Sequence, residues 1–236
     1  MPNSYFRFKQ FTVHQDKTAM KVCTDACLFG GRIASLIAGS SIQNILDIGT
    51  GTGLLSLMLA QICNAKIDAI EIDKDAFNQA SENFLASPWK DRLTAYHDDA
   101  KTFDKGIRYD LIISNPPFYE KDLLSDDEQR NTALHSTSFT LADLLQTAIR
   151  LLANNGHLAV LIPYRRMQYF DDEIQTAGFA IEQKVLVKQT PTHGYFRCMY
   201  WLQRGTVNDP SEQEIIIKSS HQYTEEFYSY VKDYYL

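Results

Sequence analysis

Two short stretches carry residue types from which chemistry can be built. The first, Asn44-Ile45-Leu46-Asp47-Ile48-Gly49-Thr50-Gly51-Thr52-Gly53, is an apolar run ending in three alternating glycines. Glycine takes positive φ freely and lets a ligand lie against bare backbone. Backbone N–H groups in such a turn, at the start of a helix, suit an anionic or polar cofactor. Asp47, two residues before the first glycine, can orient the loop or receive a cationic ligand group. Glu71 closes the next apolar run, where a carboxylate can accept hydrogen bonds from ribose hydroxyls. Asp98 and Asp99 close the run after that, and of the two Asp99 is the favoured acceptor for an adenine amino proton. The spacing departs from the G-x-G-x-x-G dinucleotide fingerprint, because position 54 is Leu. It suits S-adenosylmethionine better than a nicotinamide dinucleotide.

The second stretch is Asn115-Pro116-Pro117-Phe118, delivered by the apolar run from Tyr109 to Ser114. Two prolines fix φ at successive residues and push Asn115 out of the helical region, so the turn is stiff before any ligand arrives. Methylation of a planar amine wants such a turn, because that nitrogen's lone pair is spread into its ring and is a poor nucleophile. The Asn115 side-chain oxygen and the Pro116 carbonyl can accept the two N–H bonds and aim the lone pair at a methyl sulfonium. Asn has no titratable proton, so rate would come from orientation and electrostatics. Phe118 adds an aromatic face on which an extruded base can stack.

Both stretches need a sheet whose strands end at one edge, and the periodicity predicts it. Helical spacing covers 24–38, capped by Thr24 or Asp25 and stopped by Gly39, then 54–63 and 74–86. In the last of these Ala76, Phe77, Ala80 and Phe84 share a face. Further helices start near Leu141, closing near Gly156, and cover 166–176. Strands are expected at 44–48, 66–72, 93–97, 109–114 and 157–162, with 179–188 and 196–203 paired across Pro191-Thr192-His193-Gly194. Alternating β and α units predict an α/β fold: a Rossmann-like, seven-stranded, mostly parallel sheet with helices on both faces and a C-terminal antiparallel hairpin. Ligands bind such sheets at the carboxyl ends of the strands, where both stretches begin. The 24 residues from Asn115 to Ser138 follow neither period, and a loop of that length is expected to serve function. The tail holds a strand candidate, Ile215-Ile216-Ile217, and an aromatic stripe, Tyr223, Phe227, Tyr230 and Tyr234, expected to pack.

The 236 residues include 23 basic and 29 acidic ones, a net charge of −6. That is the wrong sign for a protein that coats nucleic acid indiscriminately, though it leaves room for a local basic groove. No run approaches eighteen apolar residues and no signal-peptide core opens the chain, so no membrane span is expected and the cytoplasm is the expected compartment. Cys23, Cys27, Cys63 and Cys198 form no C-x-x-C pair and have no His at zinc-finger spacing. No metal site or redox motif is expected. One domain is expected over 1–236, with an extension over the cofactor pocket (1–43), a catalytic core (44–205) and a strand-and-helix addition (206–236).

With these motifs the sequence resembles the class I S-adenosylmethionine-dependent methyltransferases that carry the N-P-P-aromatic signature of amino-group methylation. More narrowly, it is similar to the bacterial tRNA1(Val) adenine N6-methyltransferases, which modify adenine 37 on the 3′ side of the anticodon. Four stretches carry the narrower match: Phe8-Lys9-Gln10-Phe11, Ala19-Met20-Lys21-Val22 with Thr24-Asp25, Ser87-Pro88-Trp89, and the Tyr-rich C-terminal helix. The resemblance spans essentially the full length. It implies that Asp47, Gly49, Thr50, Gly51, Gly53, Glu71 and Asp99 bind the cofactor, and that Asn115, Pro116, Pro117 and Phe118 hold the target base. It also implies that Lys21, Thr24 and Asp25 lie near the pocket. Charge and position nominate RNA contacts at Lys9, Lys17 and Lys21, at Tyr119, Lys121, Arg130 and His135 in the long loop, and at Arg165 and Arg166. The chain departs from the family at Phe118, where many relatives have Tyr, and at Gly31-Arg32, in place of an Ala-Trp pair. Competing readings are N-methylation of ribosomal RNA guanine N2, DNA adenine or protein glutamine, and a non-catalytic cofactor-binding subunit. An intact glycine turn beside an intact Asn115 motif argues against the last.

Overall fold

The computed structural model describes residues 3–18, 20–116 and 139–236. A small antiparallel hairpin, β1 (Tyr5–Arg7) and β2 (Thr12–His14), precedes helix α1 (Thr24–Ile37). The glycine stretch forms β3 (Asn44–Ile48) and leads into α2 (Leu54–Ile62), followed by β4 (Lys66–Glu71), α3 (Lys74–Leu85), β5 (Leu93–His97) and β6 (Tyr109–Ser114). Next come α4 (Leu141–Leu151), β7 (Leu152–Pro163), α5 (Met167–Thr176), and the hairpin of β8 (Phe179–Lys188) and β9 (Tyr195–Arg204). The chain closes with β10 (Ser211–Ile216), the short pair β11 (Lys218–Ser219) and β12 (Gln222–Tyr223), and α6 (Glu225–Val231).

Eight strands form one sheet in the order β10-β8-β9-β7-β6-β3-β4-β5, in which β9 alone runs antiparallel to both neighbours. The sheet is one strand wider than the seven expected, because the tail strand pairs in parallel with β8. That pairing satisfies backbone groups that a bare edge would leave open. Strand alternation then makes two cores. Ile45, Leu111 and Ile113 face a cluster with α1, α2, α6 and Phe84 of α3, while Leu46, Ile48 and Ile112 face one with α4 and α5. Both sheet faces are therefore covered, as strands apolar on both sides require.

Three local details depart from expectation. Helix α4 starts in a Thr140/Asp143 capping box but ends at Leu151, not near Gly156. Gly156 lies instead inside β7, where a Cβ would come 2.8 Å from the Tyr109 carbonyl oxygen, so this glycine permits a close strand approach. Helix α1 is capped at Cys23 with no side-chain bond, and the carboxylate of Asp25, in its first turn, instead accepts from Arg197 Nε of β9 at 2.6 Å. The Gly31-Arg32 pair also finds its reason: a Cβ on Gly31 would sit 2.2 Å from the Tyr230 carbonyl oxygen, so bare backbone lets α6 dock on α1. Buried Arg32 donates to Tyr230 Oη at 2.8 Å, Gln183 Oε1 at 2.8 Å and Gln213 Oε1 at 3.0 Å. Among the described residues no helix is long and apolar enough to cross a membrane.

Candidate functional site

Parallel strands β3 and β6 are neighbours, with Ile48 opposite Ser114, and Ser114 Oγ donates to the Ile48 carbonyl at 2.8 Å. The next residue on each strand is Gly49 on one side and Asn115 on the other. Two motifs 66 positions apart in sequence thus leave the sheet side by side, about 5 Å apart by strand spacing. This is also where the strand order reverses, with β4 and β5 to one side and β6 and β7 to the other. A crevice opens at such a switch point.

Gly49, Gly51 and Gly53 all have positive φ, at 71°, 57° and 83°. The turn they make is braced from several sides. Gly49 and Thr50 N–H donate to the Ile70 carbonyl at 2.9 and 3.1 Å. Gly51 N–H donates to Glu71 Oε2 at 2.9 Å, and Asp73 N–H donates to Glu71 Oε1 at 3.0 Å. Each Glu71 oxygen keeps a further acceptor site in a fixed orientation. Asp47 is fully buried behind the turn; its Oδ2 accepts from Thr50 Oγ1 at 2.7 Å and Ser56 Oγ at 2.8 Å, and its Oδ1 has no partner. Burial pushes this carboxyl up to about 6, against the pull of the two hydroxyls.

Two adjoining cavities open on the turn. The larger, about 340 Å³, is lined by Gly49, Thr50, Gly51, Glu71 and Asn115 on the sheet side, and by Lys17, Thr18, Lys21, Val22 and Cys23 on the other. The smaller, about 90 Å³, is an apolar slot between Ile48, Ile70, Ile72, Ala100, Pro116 and Phe139, with Asp98 and Asp99 at its rim. Gly49 and Glu71 belong to both, so the Glu71 carboxylate stands where they meet. The Asp98 carboxylate accepts from Asp99 N–H at 2.8 Å and the Asp99 carboxylate from Lys101 N–H at 2.9 Å, which fixes the orientation of both acids.

Of the residues expected at the cofactor, the structure brings Gly49, Thr50, Gly51, Glu71 and Asp99 onto cavity walls. It moves Asp47 and Gly53 behind them. Asp47 ties the turn to α2 through Thr50 and Ser56. A Cβ on Gly53 would lie 2.5 Å from Phe84 Cε1, so that glycine serves the contact with α3. Asn115 and Pro116 line the cavities, whereas Pro117, Phe118, Tyr119, Lys121, Arg130 and His135 lie outside the described residues.

The outer wall depends on buried amides that pattern alone did not single out. Asn83 of α3 accepts from His14 N–H at 2.9 Å and donates to the carbonyls of His14 at 2.9 Å and Thr52 at 2.8 Å. Gln79 accepts from Lys17 N–H at 3.1 Å, and Gln15 accepts from Val22 N–H at 2.8 Å. The Asn83 and Gln79 bonds lash His14 and Lys17 to α3 and, through the Thr52 carbonyl, to the glycine turn. The lysines nominated for RNA are engaged by their own chain. Lys21 Nζ donates to the Gln15 and Thr18 carbonyls, Lys17 pairs with Glu82 at 2.6 Å, and Lys9 Nζ donates to the Lys232 carbonyl at 2.5 Å. Lys9 and Lys21 are thus held by backbone carbonyls of their own chain.

The donor set defines what fits. A planar ring with an amino group suits the slot and its acidic rim, and a diol suits the fixed Glu71 carboxylate. A charged tail suits the larger cavity, where the space beside Gly51 is open to 4 Å. S-adenosylmethionine has these parts.

Residues 33–177 match the family model described as methyltransferase small domain. The chain is 38% identical to a Parabacteroides distasonis protein over 100% of its own length and 99% of that protein's. It is 42% identical to a Flavobacterium johnsoniae protein, covering 98% and 99% of the two chains. Both relatives are named tRNA1(Val) (adenine(37)-N6)-methyltransferase. Among solved structures, a Listeria monocytogenes protein assigned to the class I S-adenosylmethionine-dependent methyltransferases superposes with a TM-score of 0.61 at 17% identity, over 88% of this chain and 68% of that one.

Proposed function

The chain belongs to the methyltransferase small-domain family and, within it, to the tRNA1(Val) (adenine(37)-N6)-methyltransferases, and from that premise we propose that it methylates N6 of adenine 37 in the anticodon loop of that tRNA. The protein is an enzyme and its methyl donor is S-adenosylmethionine. One observation carries the reading: Asn115 and Gly49 are lateral neighbours at the carboxyl edge of β6 and β3. An amine held at the first therefore meets a cofactor held at the second.

S-adenosylmethionine supplies an electrophilic methyl group on a sulfonium. Glu71 would hold the ribose hydroxyls, Asp99 the adenine amino group at the slot, and the glycine turn the polar tail. The Asn115 side-chain oxygen and the Pro116 carbonyl accept the two N–H bonds of the target adenine. That draws its nitrogen out of conjugation and directs the lone pair into the larger cavity. Once methylated, the nitrogen is acidic and loses its proton to water, so no titrating side chain is needed. A single-stranded loop purine costs little to extrude into the site.

The test is to incubate the protein with labelled S-adenosylmethionine and tRNA lacking the modification, then identify the labelled nucleoside and its position by mass spectrometry. N6-methyladenosine in the anticodon loop of a valine tRNA is expected; N2-methylguanosine, or label confined to other RNAs, overturns the substrate. Asn115→Ala should keep cofactor affinity and lower turnover by a factor of about 100 to 1,000, the scale of one oriented polar group. Equal losses in both would make Asn115 a structural residue.

A further inference from the structure

The carboxyl edge of the sheet continues upward beside Asn115. β7 pairs with β6 through Val160 opposite Ser114 and runs on to Pro163, about 10 Å past that level at the usual rise per residue. There β9 meets it, with Arg197 opposite Pro163. The turn formed by Tyr164, Arg165 and Arg166 therefore stands one strand over from Asn115 and above it. Tyr195, at the start of β9, faces this turn.

Aromatic and cationic groups alternate here. The Tyr164 and Tyr195 rings lie 5.1 Å apart, and the Arg166 guanidinium is 5.9 Å from the ring of Tyr169, which is 44% exposed on the first turn of α5. Tyr195 is held from behind, its hydroxyl donating to Glu214 at 2.6 Å while Lys188 sits 4.5 Å over its ring. Arg165 is exposed beside them. Such interleaving suits single-stranded nucleic acid: bases stack on ring faces and guanidinium planes, and guanidiniums meet phosphates. A base pulled into the Asn115 turn loses its stacking on both neighbours, and those neighbours need new surfaces within reach.

We propose that Tyr164, Tyr169 and Tyr195, with Arg165 and Arg166, form the platform that seats the nucleotides flanking the target adenine. The inference rests on the reading that a tRNA loop is the substrate. It assigns RNA docking to the β7–α5 turn and the start of β9, while Lys17 and Lys21 line the cofactor side.

Steady-state methylation with tRNA varied, at two salt concentrations, tests it in Tyr169→Ala, Tyr169→Phe and Arg166→Ala, with S-adenosylmethionine affinity measured on each variant. Both Ala variants should raise KM for tRNA about five- to twentyfold, as one lost stacking or phosphate contact does, with kcat and cofactor affinity within twofold. Tyr169→Phe keeps the ring and should keep the wild-type KM. Arg166→Ala should flatten the slope of log KM against log salt by about one. Unchanged KM in both Ala variants of an active enzyme overturns the platform, and so does a matching fall in cofactor affinity, which would mark the residues as structural. A wild-type protein that binds S-adenosylmethionine yet methylates no tRNA overturns instead the reading beneath it.

Discussion

Replacing Asp47 by Asn keeps an oxygen for the Thr50 and Ser56 hydroxyls and removes a carboxylate with no exposed surface. Burial raises that carboxyl from its ordinary 3.8 to about 6, and hydrogen bonds from Thr50 and Ser56 offset only part of the rise. A carboxyl raised in the folded state contributes its stability fully below the unfolded value, and the contribution is lost as pH climbs through the folded one. At about 1.4 kcal/mol per pH unit, the complete loss is about 3 kcal/mol, of which about 2 kcal/mol falls between pH 4.5 and 7. Asp47→Asn does not titrate, so it should gain about 2 kcal/mol on the wild type over that interval. Urea unfolding of both proteins at four pH values reads the difference directly. Cofactor titration gives the second arm. Asp47→Asn should bind S-adenosylmethionine within about threefold of wild type, because the side chain stays behind the cavity wall. Asp47→Ala, which drops both hydroxyl bonds and frees the turn, should weaken binding by about tenfold or more. A stability difference that stays flat with pH, or an Asn variant that binds as poorly as the Ala variant, refutes the argument that this acid is a buried brace.

Glu71→Ala removes the acceptor for Gly51 and Asp73 N–H as well as the candidate ribose contact. It should weaken cofactor binding by about 10- to 100-fold in calorimetry and leave the methylated nucleoside unchanged; unaltered affinity would refute the ribose role. Gly51→Ala meets only its φ of 57°, whereas Gly53→Ala also meets Phe84 at 2.5 Å. Denaturation should show losses of about 1 and about 3 kcal/mol, with Phe84→Leu recovering part of the second. Asn83→Ala leaves the His14 amide, the His14 carbonyl and the Thr52 carbonyl without their partner. It should cost about 3 kcal/mol, speed hydrogen exchange at the His14 amide and loosen cofactor binding; Asn83→Asp, which offers no N–H to the two carbonyls, should not rescue it.

The sequence by itself determined the parts whose physics is local. Period-two and period-3.6 apolar patterns set β3, β5, β6 and β8 to their observed bounds, and alternating glycines and paired prolines marked the two turns at the sheet edge. The place of Glu71 and Asp99 on the cavity walls was legible because an acid at the carboxyl end of a strand has few places to go. Gly156 misled, since a glycine after a helical pattern reads as a stop signal, and only the neighbouring strand reveals the close approach to Tyr109 that demands it.

Tertiary structure decided the partner of each polar group. Asn83 and Gln79 are ordinary amides on a helix whose exposed face is polar, and no spacing says that residues 14–17, more than sixty positions earlier, will need their hydrogen bonds. The sequence showed Lys9 and Lys21 as cations without showing the backbone carbonyls that the fold puts against them, and it left Asp47 either to orient the loop or to meet a ligand, where the fold sets Thr50 and Ser56 against its carboxylate. The physical reason is one of range. Apolar burial and backbone preference act through neighbours a few residues away and leave a periodic trace, whereas a hydrogen bond or ion pair acts between atoms about 3 Å apart that the chain brings together from anywhere along its length.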